Sequence, residues 1–495
     1  MADTSAHVSR RPGRGRWSLL GLEPDEIETL HQATLHVLWN VGVRVEDPEA
    51  ADVFRKGGAT VEAQGDQFLV RMPAALVEES IAAAPESFTL CGRRPEDDFL
   101  LEPGVTGYTA GYGEHVRIVD PYTYELRSTT KQDLADISRL QDALDIISFV
   151  ERAACSGDKP TAVQSVHNYD AMVRGTSKHV FLGFNGGDNA GAIIDMAEAV
   201  AGGADELRAR PIVTCLLCPT SPLGLVSECT SALIEAASRG VGMAMHPMSL
   251  SGASSPATPV GVVVQHNAEV LSAIVLAQIV RPGTPCMMAN NSTIMDLLRS
   301  ASPVGVPEMA LHSVASVQLA QRYGIPSWAG AGATDSKLPD AQQGYDFTLT
   351  AMPAALAGAN IVYGIGAIES LITFDYASMI MGAEQAGRIR RVTQGIDMSE
   401  LDAALKVIEE VGPGGEYVSH DHTFEHMREM SSSSLFDRKA REIWERDGSR
   451  TAAERAYDIA RALLESHRPI PLDAAVEARL DEIVAARELE AQTGR

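Results

Sequence analysis

The sequence predicts an α/β protein: a (β/α)8 TIM barrel with a small N-terminal α+β unit and a C-terminal helical appendage. Three observations predict it. Eight short apolar runs follow one another: Thr106–Ala110, Ile146–Val150, His179–Phe184, Ile212–Leu217, Gly242–His246, Thr284–Ala289, Pro326–Gly330 and Asn360–Gly364. From the second run onward their start-to-start spacings are 33, 33, 30, 42, 42 and 34 residues, the length of one strand plus its crossover helix. Helical stretches fill the gaps, among them Leu134–Ala143, Asn189–Ala201, Ser227–Ser238, Asn267–Val280, Glu308–Tyr323 and Asp340–Leu356. Strands that are apolar throughout belong to a parallel sheet covered by helices. Eight is the number at which such a sheet closes. A doubly wound open sheet is the competing architecture, but no G-x-G-x-x-G follows the first run.

In chain order, residues 1–16 are polar and rich in Arg, Pro and Gly, and are expected to form a flexible arm. Residues 17–103 form the α+β unit. Ile27, Leu30, Thr34, Val37 and Leu38 recur at three and four, predicting a helix over Glu23–Asn40, with Gly42 as its C-cap. A strand at Val41–Val45, helices near Ala50–Lys56 and Ala74–Ala84, and a strand near Gln67–Val70 complete the unit. The barrel occupies residues 104–395, with a hairpin (His115–Val119 and Tyr124–Arg127) inserted after the first strand. Residues 396–495 form a loop and a charged helical appendage, through Leu401–Val411 and Ala440–Ala486.

Composition narrows the function classes. Of 495 residues, 45% are hydrophobic and 22% charged, which excludes a disordered or fibrous chain. There are 41 basic and 66 acidic residues, a net charge of −25 that repels phosphate backbones and favours cationic ligands. Six cysteines do not make a disulfide framework. Cys215 and Cys218 are spaced C-x-x-C, but they lie in the apolar run Pro211–Cys218, where residues three apart face opposite ways, so the pair reads as structural. No apolar leader segment follows Arg10–Arg16, and no membrane span is expected. The protein is expected to be soluble and cytoplasmic.

A barrel of this kind binds its ligand on the loops after the strand ends. Those loops are rich in Gly, Ser, Thr and Asn. They hold no nucleophile elbow and few metal-ligand candidates, which suits a substrate that needs neither. Trp328, Tyr363, Phe374 and Tyr376 fall at or beside the last two strand ends, near Asp335, Glu369 and Asp375. They read either as a cage for a quaternary ammonium or as barrel-top packing. The loop Ser251–Pro256 offers backbone N–H groups to an anion or is a tight βα turn; it lacks a P-loop ending. In the segment Gly412–His426, His422 and His426 are spaced i, i+4 and share a helix face. There is no H-E-x-x-H glutamate, so these imidazoles read as a site entrance or helix cap as readily as a metal site.

Together these segments resemble the trimethylamine methyltransferase family of corrinoid-dependent enzymes. The stretches that carry the likeness are His31–Asp47 (HQATLHVLWNVGVRVED), Gly252–Ala277 (GASSPATPVGVVVQHNAEVLSAIVLA), Arg281-Pro282-Gly283, Thr334–Tyr345 (TDSKLPDAQQGY), Glu369–Tyr376 (ESLITFDY) and Gly414-Gly415…His422-Thr423…His426. They span residues 30–430, most of the chain. The resemblance implies a TIM barrel that docks a corrinoid (cobalamin) protein and passes it a methyl group from a methylated amine, with no metal bound directly. The chain has only the standard twenty residues, so it resembles the branch without pyrrolysine, where quaternary amines such as glycine betaine are donors. On that resemblance Trp328, Tyr363, Phe374 and Tyr376 bind the ammonium, and Glu369 and Asp335 balance its charge as the catalytic pair. Lys337 or the loop beginning at Ser251 meets a substrate carboxylate, and His422, Gly414 and Gly415 lie near the corrinoid. A homo-oligomer is expected. A metal-dependent hydrolase using His420, His422 and His426, and a non-catalytic osmolyte-binding barrel, are the competing readings.

Overall fold

The computed structural model describes residues 21–111, 113, 115–433 and 435–493; the expected N-terminal arm lies outside them. Every one of the eight apolar runs overlaps a barrel strand: Gly107–Ala110, Val150–Glu151, Val180–Gly183, Val213–Leu217, Gly242–Met245, Cys286–Asn290, Ser327–Gly330 and Ile361–Ile365. We number them first to eighth. Neighbours from second to eighth pair in parallel, with registers such as Val180↔Val150, Val180↔Val213 and Met288↔Ser327. The eighth pairs with the first through Ile361↔Gly107, and a parallel bridge between Tyr108 and Ile147 joins the first to the second segment. The sheet therefore closes on itself, and no edge is left to cover.

Closure explains why the runs are apolar without alternation: both faces of every strand are buried. One face packs into the barrel, where Phe149, Phe181, Leu216, Met287, Trp328 and Tyr363 form one cluster. The other packs under the helices in a second, larger cluster. A hairpin not predicted from the sequence, Phe88–Leu90 with Phe99–Leu101, plugs the lower end. Leu90, Phe99 and Leu101 belong to the interior cluster. At Gly107, the first residue of the first strand, an added Cβ would stand 2.6 Å from the Phe99 ring.

The N-terminal unit is bolted to the barrel. Its helix Pro24–His36 starts with reciprocal Glu23–Glu26 capping. It ends in a π-helical turn, Val37–Val41, rather than continuing in α form to Asn40 as the periodicity predicts. Gly42 follows at φ +82°, where a Cβ would lie 2.7 Å from the Val70 carbonyl. Val43–Val45 pairs with Gln67–Arg71, which also pairs with Thr60–Gln64. The last strand escaped prediction because it is mostly polar and exposed. A fourth strand, Gly224–Leu225, comes from the loop after the fourth barrel strand. His31 bonds Tyr323 and Glu78, and Asn267 donates to Thr34 and Tyr323, so polar contacts span four helices.

The helix Pro259–Val280 is long and apolar enough to cross a membrane, yet it is mostly buried inside the protein. It packs between the barrel and the N-terminal unit, which is why it is hydrophobic all round. Its one buried acid, Glu269, accepts hydrogen bonds from Leu223 N (2.9 Å), Ser221 Oγ (2.7 Å), Ser249 Oγ (3.0 Å) and Gln265 Nε2 (2.9 Å). This carboxylate ties together the loops after the fourth and fifth strands. The predicted hairpin forms as Arg117–Val119 with Leu126–Ser128 and pairs in parallel with Thr373–Asp375. At the C-terminus, Ala452–Ser466 packs on Tyr376–Thr393, and Ala474–Thr493 on Gly187–Ala201. Between them the helix Leu401–Val411 has no buried residue, so it stands off the body of the protein.

Replacing Glu269 by Ala strands three donors under the loops and should destabilise the fold by about 2–3 kcal/mol, read from urea unfolding midpoints. A loss under about 0.5 kcal/mol would mean that water replaces the carboxylate without cost.

Candidate active site at the barrel mouth

A cavity of about 490 Å³ opens among the loops at the C-terminal end of the strands. Leu216, Leu217 and Cys218 of the fourth strand end, His246 and Met248 of the fifth, and Asn291 and Thr293 of the sixth line it. Ser370, Leu371 and Ile372 enter from beyond the eighth strand, and Val226, Glu228, Cys229 and Ala232 from the region of the helix Ser227–Arg239. The volume suits a small molecule.

Behind the lining residues His246 and Asn291 lies an aromatic stack. Trp328 and Tyr363 lie face to face, centroids 4.0 Å apart and planes within 4°. Phe181 stacks on Trp328 at 6.0 Å, and His246 meets Trp328 edge-on at 4.6 Å. The Tyr363 hydroxyl donates to Asn291 Oδ1, which orients the amide at the cavity wall. Burial pushes the His246 imidazole down to about 3, helped by nearby His266, so it is neutral at pH 7. Beside the stack Glu151 is fully buried on the second strand, in register with Phe181. Desolvation pushes its pKa well above the ordinary value; the Thr109 hydroxyl, the Trp328 indole and Arg152 pull it the other way without overcoming burial.

The lip of the cavity is strained. Glu369, Ser370 and Leu371 have φ of 53°, 55° and 68°, a run of three non-glycine residues in the left-handed region. Hydrogen bonds from Glu369 N to Ser336 O (2.8 Å) and Ser370 N to Thr334 O (3.0 Å) hold it there. Asp335 adds a clamp: its carboxylate accepts from Val304 N (2.8 Å), Gly305 N (3.0 Å) and Ser370 Oγ (2.7 Å). Val304 and Ser370 both line the cavity, so Asp335 joins two of its walls.

The structure splits the residues singled out in the sequence. Trp328 and Tyr363 come together, but they stack on each other and spend the ring faces that a cation would need. Phe374 and Tyr376 meet edge-on at 5.2 Å in the outer cluster, away from that stack. Glu369 accepts from Thr373 Oγ1 (2.6 Å) beside the lip. Lys337 is exposed and donates to the Asp335 carbonyl (2.8 Å). The Ser251 hydroxyl donates to the Ala257 carbonyl (2.9 Å) inside its own turn. His422, Gly414 and Gly415 lie on the segment after Leu401–Val411, and none of them lines the cavity. The His422 and His426 rings are 4.3 Å apart, while His420 pairs with Glu410 and His426 with Glu429. Among the described residues no three His, Cys, Asp or Glu side chains are grouped to hold a metal.

Sequence reasoning missed His246, Cys218 and Glu228. The first two end apolar strand runs, and a polar residue closing such a run was the available signal. Reading Cys215 and Cys218 as one structural pair was wrong for Cys218: Cys215 is buried, whereas Cys218 faces the cavity with Sγ 3.8 Å from His246 Nδ1.

A barrel mouth with a mostly uncharged lining invites comparison with known proteins. The family profile described as trimethylamine methyltransferase (MTTB) matches residues 4–492. The chain belongs to the trimethylamine methyltransferase family. A trimethylamine methyltransferase of Desulfitobacterium hafniense (strain DSM 10664 / DCB-2) is 42% identical over 98% of this chain and 96% of its own length. A glycine betaine methyltransferase of Desulfitobacterium hafniense (strain Y51) is 31% identical over 94% of this chain and 96% of its own. The crystal structure of the Methanosarcina barkeri monomethylamine methyltransferase shares the fold, with a TM-score of 0.53 and 12% identity over 90% of this chain and 88% of that one.

The burial of Glu151 has a pH signature. Its folded pKa lies above the value of 4.5 it has when exposed, so between the two the folded state binds more protons than the unfolded state. Its contribution to stability therefore falls as pH rises through that window. The Glu151→Gln variant should be stabilised relative to wild type by an amount that grows with pH, up to about 1.4 kcal/mol per unit. Thermal melts at pH 5 and pH 8 read it; a difference that does not change with pH would contradict the assignment.

Proposed function

We propose that this chain moves a methyl group from a quaternary amine to Co(I) of a corrinoid carried by a partner protein. The observation that carries the reading is the mouth cavity. It is sized for a small amine, its lining is mostly uncharged with an aromatic stack behind His246 and Asn291, and it presents no activated nucleophile. Membership of a methyltransferase family supports the transfer, and the glycine betaine methyltransferase among its relatives supports a quaternary ammonium donor.

The chemistry matches such a lining. The corrinoid is the acceptor, a co-substrate. Its Co(I) supplies the electron pair that forms the bond to the methyl carbon, while the C–N bond breaks and leaves its pair on nitrogen. A quaternary ammonium departs as a neutral amine, so no proton has to be delivered. The protein's share is to hold the cation with one methyl toward the mouth, to exclude water and to keep the loops still. The Trp328–Tyr363 stack supports neutral His246 and Asn291, which shape one side of the cavity, and Asp335 and the turn at Glu369 hold the lip. Phe374 and Tyr376 support that lip from outside. The segment bearing Gly414, Gly415 and His422 stays a candidate contact for the corrinoid protein. A reducing cytoplasmic setting suits six free cysteines.

Anaerobic mixing with reduced corrinoid and a panel of quaternary amines should bleach the Co(I) absorbance for at least one donor. Replacing His246 by Ala should lower kcat/KM by about tenfold or more through loss of donor positioning. If folded protein with its corrinoid partner consumes no Co(I) with any donor, the transferase reading fails. Tight donor binding in that case would favour an osmolyte-binding barrel.

A further inference from the structure

The charge of the cavity lining narrows the donor. We infer that the mouth selects methylated ammonium ions that carry no carboxylate, and that Glu228 sets this selectivity. The inference rests on the methyl-transfer reading and names the substrate class of the same site.

Among the described lining residues Glu228 is the one carrying a formal charge at neutral pH, and none is Lys or Arg. Residues 112 and 114, which flank lining Gly113 in the chain, are Tyr and Glu and bring no cation. His246 supplies none either, because burial keeps it neutral. Both features that the sequence offered for a substrate carboxylate are elsewhere: the Lys337 ammonium is on its own loop's carbonyl, and the Ser251 hydroxyl is used inside its turn.

Two of the neutral hydroxyl donors are already committed. Ser370 Oγ donates to Asp335, and Thr293 Oγ1 to the Pro303 carbonyl. Placing a carboxylate here would strip its water and set it against Glu228 with no opposite charge in return, a cost rather than a gain. An ammonium without that group meets only attraction: the Glu228 carboxylate at the rim and the acidic field of a chain with net charge −25. Glu228 sits in the first turn of its helix, where the exposed N–H dipoles favour an anion. It is exposed, so its replacement should leave the fold intact.

The test uses the full chain with its reduced corrinoid partner protein and four donors: tetramethylammonium, choline, glycine betaine and carnitine. Wild type should show kcat/KM for the first two at least about tenfold above the last two, the effect of one unpaired like charge in a partly desolvated site. Glu228→Gln, with circular dichroism as a folding check, should cut that ratio by about tenfold, and Glu228→Asp should restore most of it. Preference for betaine or carnitine overturns the inference while leaving methyl transfer standing, and so does an unchanged ratio in Glu228→Gln. Should no donor react, methyl transfer itself fails. Calorimetric titration then decides selectivity without turnover: tighter binding of tetramethylammonium supports it, and equal or tighter binding of glycine betaine overturns it.

Discussion

The mouth of this barrel depends on the aromatic stack at its centre. A closed eight-stranded sheet has an interior that side chains must fill, since an empty one would forfeit contacts on every wall. Here Phe181, Trp328 and Tyr363 fill the middle layer with parallel rings. The cavity beside it is lined by apolar residues such as Leu217 and Met248 together with Cys218, His246 and Asn291. One side of it is fixed because His246 and Asn291 are each held against the stack.

Two carboxylates, Glu269 buried and Asp335 half-buried, do the corresponding work for the walls. Glu269 gathers the loops after the fourth and fifth strands, and Asp335 gathers the loop after the sixth and the turn beyond the eighth. Each accepts several N–H or O–H groups that would otherwise be buried without partners. Their role is positional, and it lets the lip hold three consecutive left-handed residues at Glu369, Ser370 and Leu371. Strain placed there and over-determined by neighbours is how a protein keeps a loop in one shape while a substrate enters and leaves.

A chemical logic links this architecture to a reaction in which the nucleophile arrives with the acceptor. Such a site needs geometry and dryness rather than an activated side chain. The buried histidines fit that description: His246 and His266 are both pushed to about 3 and stay neutral, so they shape the site without adding charge. The acidic balance of the chain and the Glu228 carboxylate in the cavity lining point the same way, toward cations.

The pattern of apolar runs determined the barrel by itself. A run buried on both faces has no alternation to hide, and eight of them at helix-plus-strand spacing leave few other ways to fold. The N-terminal helix, the hairpin after the first strand and the helical C-terminus were also readable, because each follows local periodicity or turn chemistry. Thr60–Gln64 was not, since a polar edge strand exists only through its partner. Family membership too was readable, from motifs spread along most of the chain. The site was readable only as a set of loops. Which aromatic faces are free, which carboxylate is a clamp and which lines the cavity are questions of side-chain direction across residues far apart in sequence. Trp328 and Tyr363 stack while Phe374 and Tyr376 turn to the outer shell; Asp335 bends back to Val304 while Glu228 stays at the rim. Long-range packing settles such directions, and no local pattern encodes them, so only the tertiary structure decided them.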